Sequence, residues 1–132
     1  MTTLCEPIST TDELFDPSNT KVIFDENGYA IYFSRAVIPW SRDDFSQTPK
    51  QLPDDYTYYR HIGLYAYRAG FIKQYINWSE TPWERLESLE QLRALWHGEK
   101  IHVDIAELTP GIGIDTQVDL DKARAMLLTE PQ

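Results

Sequence analysis

The clearest pattern of apolar and polar positions lies in residues 21–35, KVIFDENGYAIYFSR. Two runs rich in β-branched and aromatic residues, 21–25 and 29–34, flank Asn27-Gly28. Asn-Gly supplies the positive φ angles of a tight turn, so the segment predicts a β-hairpin. Residues 36–59 lose this periodicity. Pro39, Pro49 and Pro53 interrupt a polar stretch, and proline removes backbone donors, which predicts a long loop with one turn at 43–45. A loop of this length in a compact domain is usually functional or mobile. RHIGLYAY, residues 60–67, predicts a further strand, and over 69–77 Phe71, Ile72, Tyr75 and Ile76 fall on one side of a short helix. Thr81-Pro82 opens a stronger helix, because threonine caps and proline is tolerated in the first turn. Leu86, Leu89, Leu92, Leu95 and Trp96 recur at helical spacing, and Gly98 closes the segment. Residues 100–106 read as a strand and 111–115 as a short extended segment ending in Asp115. Thr116, with Asp119 three residues on, caps a last helix reaching residue 128. Residues 1–20 are mixed and polar, with Pro7 and Pro17; Thr11 caps one helical turn, and no opening strand is evident. The order β-β-loop-β-α-α-β-(β)-α indicates the α/β class.

The 132 residues suffice for one domain, 1–132, but not for two. Twelve Lys and Arg against 21 Asp and Glu leave a formal net charge of -9. Such a balance argues against nucleic acid or an anionic membrane as partner, since both call for a basic footprint. Small anionic ligands stay open, because a few local arginines or a metal ion hold them. Cys5 is the one cysteine, so no disulfide or cysteine-based zinc site forms within a single chain. The first fifteen residues lack a basic start followed by an apolar run, and no apolar stretch is long enough for a bilayer, so a cytoplasmic location is expected.

Candidate chemistry gathers at a few positions. Arg35 ends the hairpin, where a guanidinium suits bidentate capture of a carboxylate or phosphate; a surface ion pair is the plainer alternative. His61, Gly63 and Tyr65 share one strand face. A histidine and a tyrosine projecting together suit sugar hydroxyls, or simply form a half-buried strand with satisfied tips. Glu87, Glu90 and Gln91 lie at neighbouring helical positions, on a functional or merely solvated face. Asp115, between an extended segment and a helix start, suits Mg²⁺ or a helix cap. Walker-type, GxGxxG and HExxH motifs are absent.

Taken in order, these segments carry a resemblance. Phe24-Asp25, Asn27-Gly28-Tyr29-Ala30, Tyr32-Phe33-Ser34-Arg35-Ala36 and Ile38-Pro39-Trp40 resemble the central part of the 3-deoxy-manno-octulosonate (Kdo) cytidylyltransferases, or CMP-Kdo synthetases. The similarity continues through Arg60-His61-Ile62-Gly63, Tyr65-Ala66-Tyr67-Arg68-Ala69-Gly70-Phe71 and Glu87-Ser88-Leu89-Glu90-Gln91-Leu92-Arg93. It ends with Leu95-Trp96, Gly98-Glu99-Lys100-Ile101-His102-Val103 and Gly113-Ile114-Asp115-Thr116. The resemblance implies the C-terminal part of a nucleotide-diphospho-sugar transferase fold, Rossmann-like and three-layered, with a β-hairpin dimerisation region and hence a homodimer. It implies transfer of CMP from CTP to Kdo with Mg²⁺, on the route to lipopolysaccharide. It places Arg35, Arg42, His61, Tyr65, Glu90 and Gln91 around Kdo and makes Asp115 a magnesium ligand. The related acylneuraminate cytidylyltransferases are disfavoured by Ser-Arg-Ala-x-Ile-Pro-Trp and Arg-His-Ile-Gly. Met1 corresponds to an internal position of the family, and the phosphate-cradling loop and earlier acidic motif of its members have no counterpart here. The expectation is therefore a sugar-binding half that does not catalyse the reaction alone, with a non-catalytic binding and dimerisation module as the alternative.

Overall fold

The computed structural model describes residues 1–48, 50–108, 117, 120, 121, 124 and 125. Five strands form one mixed sheet: β1 (Thr2–Pro7), β2 (Lys21–Phe24), β3 (Ala30–Ser34), β4 (Tyr59–Ala66) and β5 (His102–Ile105), in the order β3-β2-β4-β1-β5. The helices α1 (Thr11–Phe15), α2 (Ala69–Tyr75), α3 (Pro82–Glu87) and α4 (Gln91–Trp96) accompany them. The expected α/β class and the hairpin β2–β3 are present, and the turn in the long loop is a single 3₁₀ turn, Asp44–Ser46. The extended segment expected at 111–115 and the cap at Thr116 lie outside the described residues; Gln117, Leu120, Asp121, Arg124 and Ala125 are helical.

The opening of the chain corrects the sequence reading. Residues 2–7 form an interior strand, antiparallel to β4 and parallel to β5. Only Leu4 and Cys5 are apolar in Thr-Thr-Leu-Cys-Glu-Pro, so the local pattern is too weak to announce a strand. Its partners lie some 60 and 100 positions away in the chain and do the work instead. Two buried polar residues make the strand tolerable in the interior. Glu6 accepts from Arg60, whose Nε donates at 2.7 Å, and the Thr3 hydroxyl bonds to β4 carbonyls. The helical turn that follows is capped by Thr10 rather than Thr11, with Glu13 N donating to Thr10 Oγ1 at 3.2 Å.

The long helix expected from 82 is two helices. A capping box at Thr81 and Glu84 starts α3, and Ser88, at φ 53°, turns the chain before α4 begins. The break turns Leu89 and Leu92 into the core with Cys5, Val22, Phe33, Ala94, Ile101 and Val103, while Leu86 is left 83% exposed. Leu86 thus belongs to the apparent stripe but not to the core. A second small core, of Ile8, Leu14, Phe45 and Tyr58, anchors the long loop.

The two edge strands meet at one end of the sheet. Ala30 N donates to Ile101 O at 2.8 Å and Val103 N to Gly28 O at 2.7 Å, beside a bridge between Tyr29 and His102. This approach explains Gly28. At φ +78° a Cβ would stand 3.0 Å from His102 Nε2 and 3.3 Å from Val103 O. Asn27 has no positive φ, so the turn is not the two-residue type that Asn-Gly suggests. Asp25 organises it, its Oδ1 accepting from Asn27 N and Tyr29 N at 2.9 Å each.

Candidate functional site

A bulge builds the first part of the site. Thr3 pairs with Tyr65 and Leu4 with Ile62, so Gly63 and Leu64 are extra residues on β4. A bulge leaves carbonyls without ladder partners, and the Thr3 hydroxyl lies 3.1 Å from Ile62 O and 2.8 Å from Leu64 O. Because Thr3 donates its single proton to a carbonyl, its oxygen is left to accept. The His61 Nε2, 2.9 Å away, then carries the proton and donates to it. Burial lowers the His61 imidazole to about 4, so the ring is neutral around pH 7. Two extra residues preserve the alternation of the strand, and the His61 and Tyr65 rings meet at 5.3 Å, as expected from the sequence.

From Tyr65 the aromatic wall continues outward. Tyr65 stacks on Tyr67 at 5.8 Å, and Tyr67 on Phe71 at 5.8 Å with only 10° between planes. Tyr67, Phe71, Ile72 and Tyr75 line a cavity of about 230 Å³, closed by Met1, Glu90 and Gln91. Tyr75 Oη donates to the Glu90 carbonyl at 3.0 Å, tying α2 to the start of α4. The Arg93 guanidinium lies over the Tyr75 ring at 4.7 Å and is held by Glu84, with Nε donating to Oε2 at 2.8 Å. Burial, with the Glu90 charge second, pushes the Tyr65 phenol well above its ordinary value, so it stays a neutral donor.

Two polar atoms here are buried without a partner among the described residues: Tyr65 Oη and Gln91 Nε2. Gln91 is 2% exposed, which overturns the solvated-face alternative for that position, whereas Glu90 is exposed. Native interiors pair nearly all buried donors, so an orphan calls for an explanation, and a missing ligand is one.

The remaining candidates fall elsewhere. Arg35 sits at the end of β3, where its Nε donates to Glu87 O at 2.7 Å and its Nη1 to Pro17 O at 3.2 Å. Arg42 stands on the long loop, its side chain 88% exposed and paired with Asp43, beside a second cavity of about 330 Å³ near Trp40, Asp55 and Tyr56. Asp115 lies outside the described residues. Among the described residues no three His, Cys, Asp or Glu side chains gather as a metal site. The sequence reading missed Thr3, hidden in an unrecognised strand, and Tyr67, whose exposed and stacked ring looks from sequence like any strand aromatic. Glu87, which the sequence offered as part of a functional or merely solvated face, is half-buried.

The chain matches the family described as cytidylyltransferase over residues 1–101. It is 52% identical, over 130 residues, to the 3-deoxy-manno-octulosonate cytidylyltransferases of Yersinia pseudotuberculosis serotype O:1b (strain IP 31758) and Yersinia enterocolitica serotype O:8. The match covers 98% of this chain and 51% of theirs. A solved structure of CMP:2-keto-3-deoxy-manno-octonic acid synthetase complexed with CTP superposes with a TM-score of 0.81 at 35% identity, covering 98% of this chain and 49% of that one. The chain thus spans about half the length of the relatives it matches, in the fold of a nucleotidyltransferase. With the sequence match over residues 1–101 and the superposition in agreement, the chain belongs to the cytidylyltransferase family.

Proposed function

We propose that this chain carries the sugar-acid site of an enzyme that transfers CMP from CTP to Kdo, giving CMP-Kdo and pyrophosphate. The observation that carries the reading is the pair of orphaned buried groups, Tyr65 Oη and Gln91 Nε2. Both can donate to the oxygens of a sugar acid. Glu90, at the cavity rim, supplies an acceptor for its hydroxyls. The stacked rings of Tyr67 and Phe71 offer an apolar wall for the C–H face of a sugar ring, including a deoxygenated carbon. His61 contributes as a neutral ring fixed by Thr3, not as a cation. Arg35 and Arg42 suit the sugar carboxylate, although they stand apart from the cavity. Catalysis in this reading rests on holding the sugar hydroxyl in line with the α-phosphorus and on electrostatics.

Magnesium belongs to the same proposal. Mg²⁺ is commonly bound by one or two carboxylates together with substrate phosphates, so it does not require a three-acid cluster. Asp115 would hold it, and the ion would neutralise charge on the triphosphate. A homodimer, a cytoplasmic location and a place on the route to lipopolysaccharide complete the reading. No helix among the described residues is long and apolar enough to cross a membrane.

The test is titration of the purified chain with Kdo, followed by an assay for CMP-Kdo from CTP, Kdo and Mg²⁺, with Asp115→Ala as control. Saturable Kdo binding that weakens in Tyr65→Phe and Gln91→Leu supports the site. Product lost in the Asp115→Ala chain extends the reading to catalysis by this half alone. Absence of both binding and product overturns it.

A further inference from the structure

Glu87, the last residue of α3, is joined to the end of β3 at three points. Its Oε1 accepts from Ser34 Oγ at 2.6 Å and its Oε2 from the Arg35 backbone N–H at 3.0 Å. Its carbonyl oxygen accepts from Arg35 Nε at 2.7 Å. The opposite side of the guanidinium is fixed as well, through Nη1 to Pro17 O at 3.2 Å. Pro17 in turn lies in a loop that buried Lys21 holds, with Nζ donating to Asp16 O at 3.0 Å and Asn19 O at 2.5 Å. These bonds use two of the five guanidinium N–H groups and leave the others without a partner among the described residues.

We propose that Glu87 is a positioning residue, which locks Arg35 to the helix break so that the unused N–H groups are presented to the carboxylate of the bound sugar acid. The inference rests on the sugar-acid reading above. Its physical basis is preorganisation. A free arginine loses rotamer freedom when it takes an anion, whereas Arg35 has surrendered that freedom beforehand. Arg42 is the contrast, exposed and, among the described residues, tied to its neighbour Asp43. Glu87 also occupies the turn of chain that leads through Ser88 into Glu90 and Gln91. One residue thus links the placement of Arg35 to the segment that lines the cavity.

A carboxylate is used because two donors must be satisfied at once. Glutamine can meet both as well: Oε1 accepts from Arg35 N–H, while its amide donates to the Ser34 hydroxyl oxygen. Alanine can meet neither. Geometry and charge are therefore separable by substitution.

The experiment compares the 132-residue chain with its Glu87→Ala, Glu87→Gln and Ser34→Ala variants. Solvent exchange of the arginine Nε–H protons is read by NMR, and affinity by titration with Kdo. Glu87→Ala should speed Arg35 Nε–H exchange and weaken Kdo binding, each about tenfold, as expected for one or two lost hydrogen bonds. Arg93 Nε–H, held separately by Glu84, should not move, which separates loss of positioning from general loosening. Glu87→Gln should stay within about twofold on both readouts because both bonds survive. Ser34→Ala, which removes one anchor, should fall between, and it decides the matter if Glu87→Ala does not fold. The proposal is overturned if Arg35 exchange is unchanged in Glu87→Ala or Ser34→Ala, if Arg93 exchange rises equally, or if glutamine is as damaging as alanine. A wild-type chain that binds no Kdo overturns the sugar reading and with it the target assigned to Arg35, while the exchange data separately decide whether Glu87 holds the guanidinium.

Discussion

Acidification should destabilise this fold through His61 before it reaches the carboxylates. Burial lowers the imidazole from its ordinary 6.5 to about 4. Between those values the unfolded chain binds a proton that the folded chain does not. Stability is therefore full above pH 6.5 and is lost as pH falls towards 4. Each pH unit inside the window corresponds to roughly 1.4 kcal/mol, so the whole window amounts to about 3 kcal/mol. Burial is the cause of the low value. The proton on Nε2 is already committed to Thr3, whose own proton is taken by a bulge carbonyl. A second proton, on Nδ1, would place a charge in this buried position. The measurement is urea unfolding at pH 7.0 and 5.0, for wild type and His61→Gln. Glutamine can keep the amide donor near Thr3 but cannot titrate. Wild type should lose about 2 kcal/mol more than the variant between the two pH values. Equal losses in both chains would refute the reasoning, since the proton taken up would then belong to another group.

Three further outcomes are expected. Gly28→Ala should destabilise the fold by about 2 kcal/mol, from the left-handed backbone and from contact with His102; adding His102→Ala should return only the contact part, and a loss under half a kcal/mol in thermal or urea unfolding would count against the close approach. Tyr65→Phe should stabilise the unliganded chain by about 1 kcal/mol, because it removes a buried hydroxyl that has no partner among the described residues, while weakening Kdo binding; destabilisation instead would mean the hydroxyl is bonded. Arg93→Met should cost about 3 kcal/mol in unfolding experiments, since Glu84, 7% exposed, loses the partner that holds its carboxyl below the ordinary value; a neutral effect would place Glu84 in water.

The parts of the fold that were legible in the sequence are those whose signal is local. The hairpin, β4, α2 and β5 are built from short runs whose own composition favours them, and each lies close to its expected position. What escaped depends on distant residues. Ser88 breaks a helical stripe because Leu89 is drawn into the core, and no period count registers that choice. The site was legible in part for the same reason. His61 and Tyr65 meet because strand alternation brings them together, and Glu90 and Gln91 adjoin the cavity as neighbours in the chain. Arg42 belongs to a proline-rich loop with its own small core, and no pattern in its sequence says which way it will stand.

The least legible element, β1, is also the one on which the site most depends. Its Thr3 sits opposite the bulge, where its hydroxyl donates to Leu64 O at 2.8 Å. The same oxygen selects the His61 tautomer. The bulge, by adding two residues rather than one, keeps His61 and Tyr65 on a common side while Gly63 and Leu64 are displaced from the ladder. Met1, at the start of the strand, closes one side of the cavity and accepts from His102 N through its carbonyl at 3.0 Å. A strand with two apolar residues is therefore held in place by polar contacts that also arrange the candidate site. Weak apolar patterning in β1 follows from that double use: replacing Thr3 by valine would improve the strand signal, remove the hydroxyl donor to Leu64 O and leave His61 Nε2 without the oxygen it donates to.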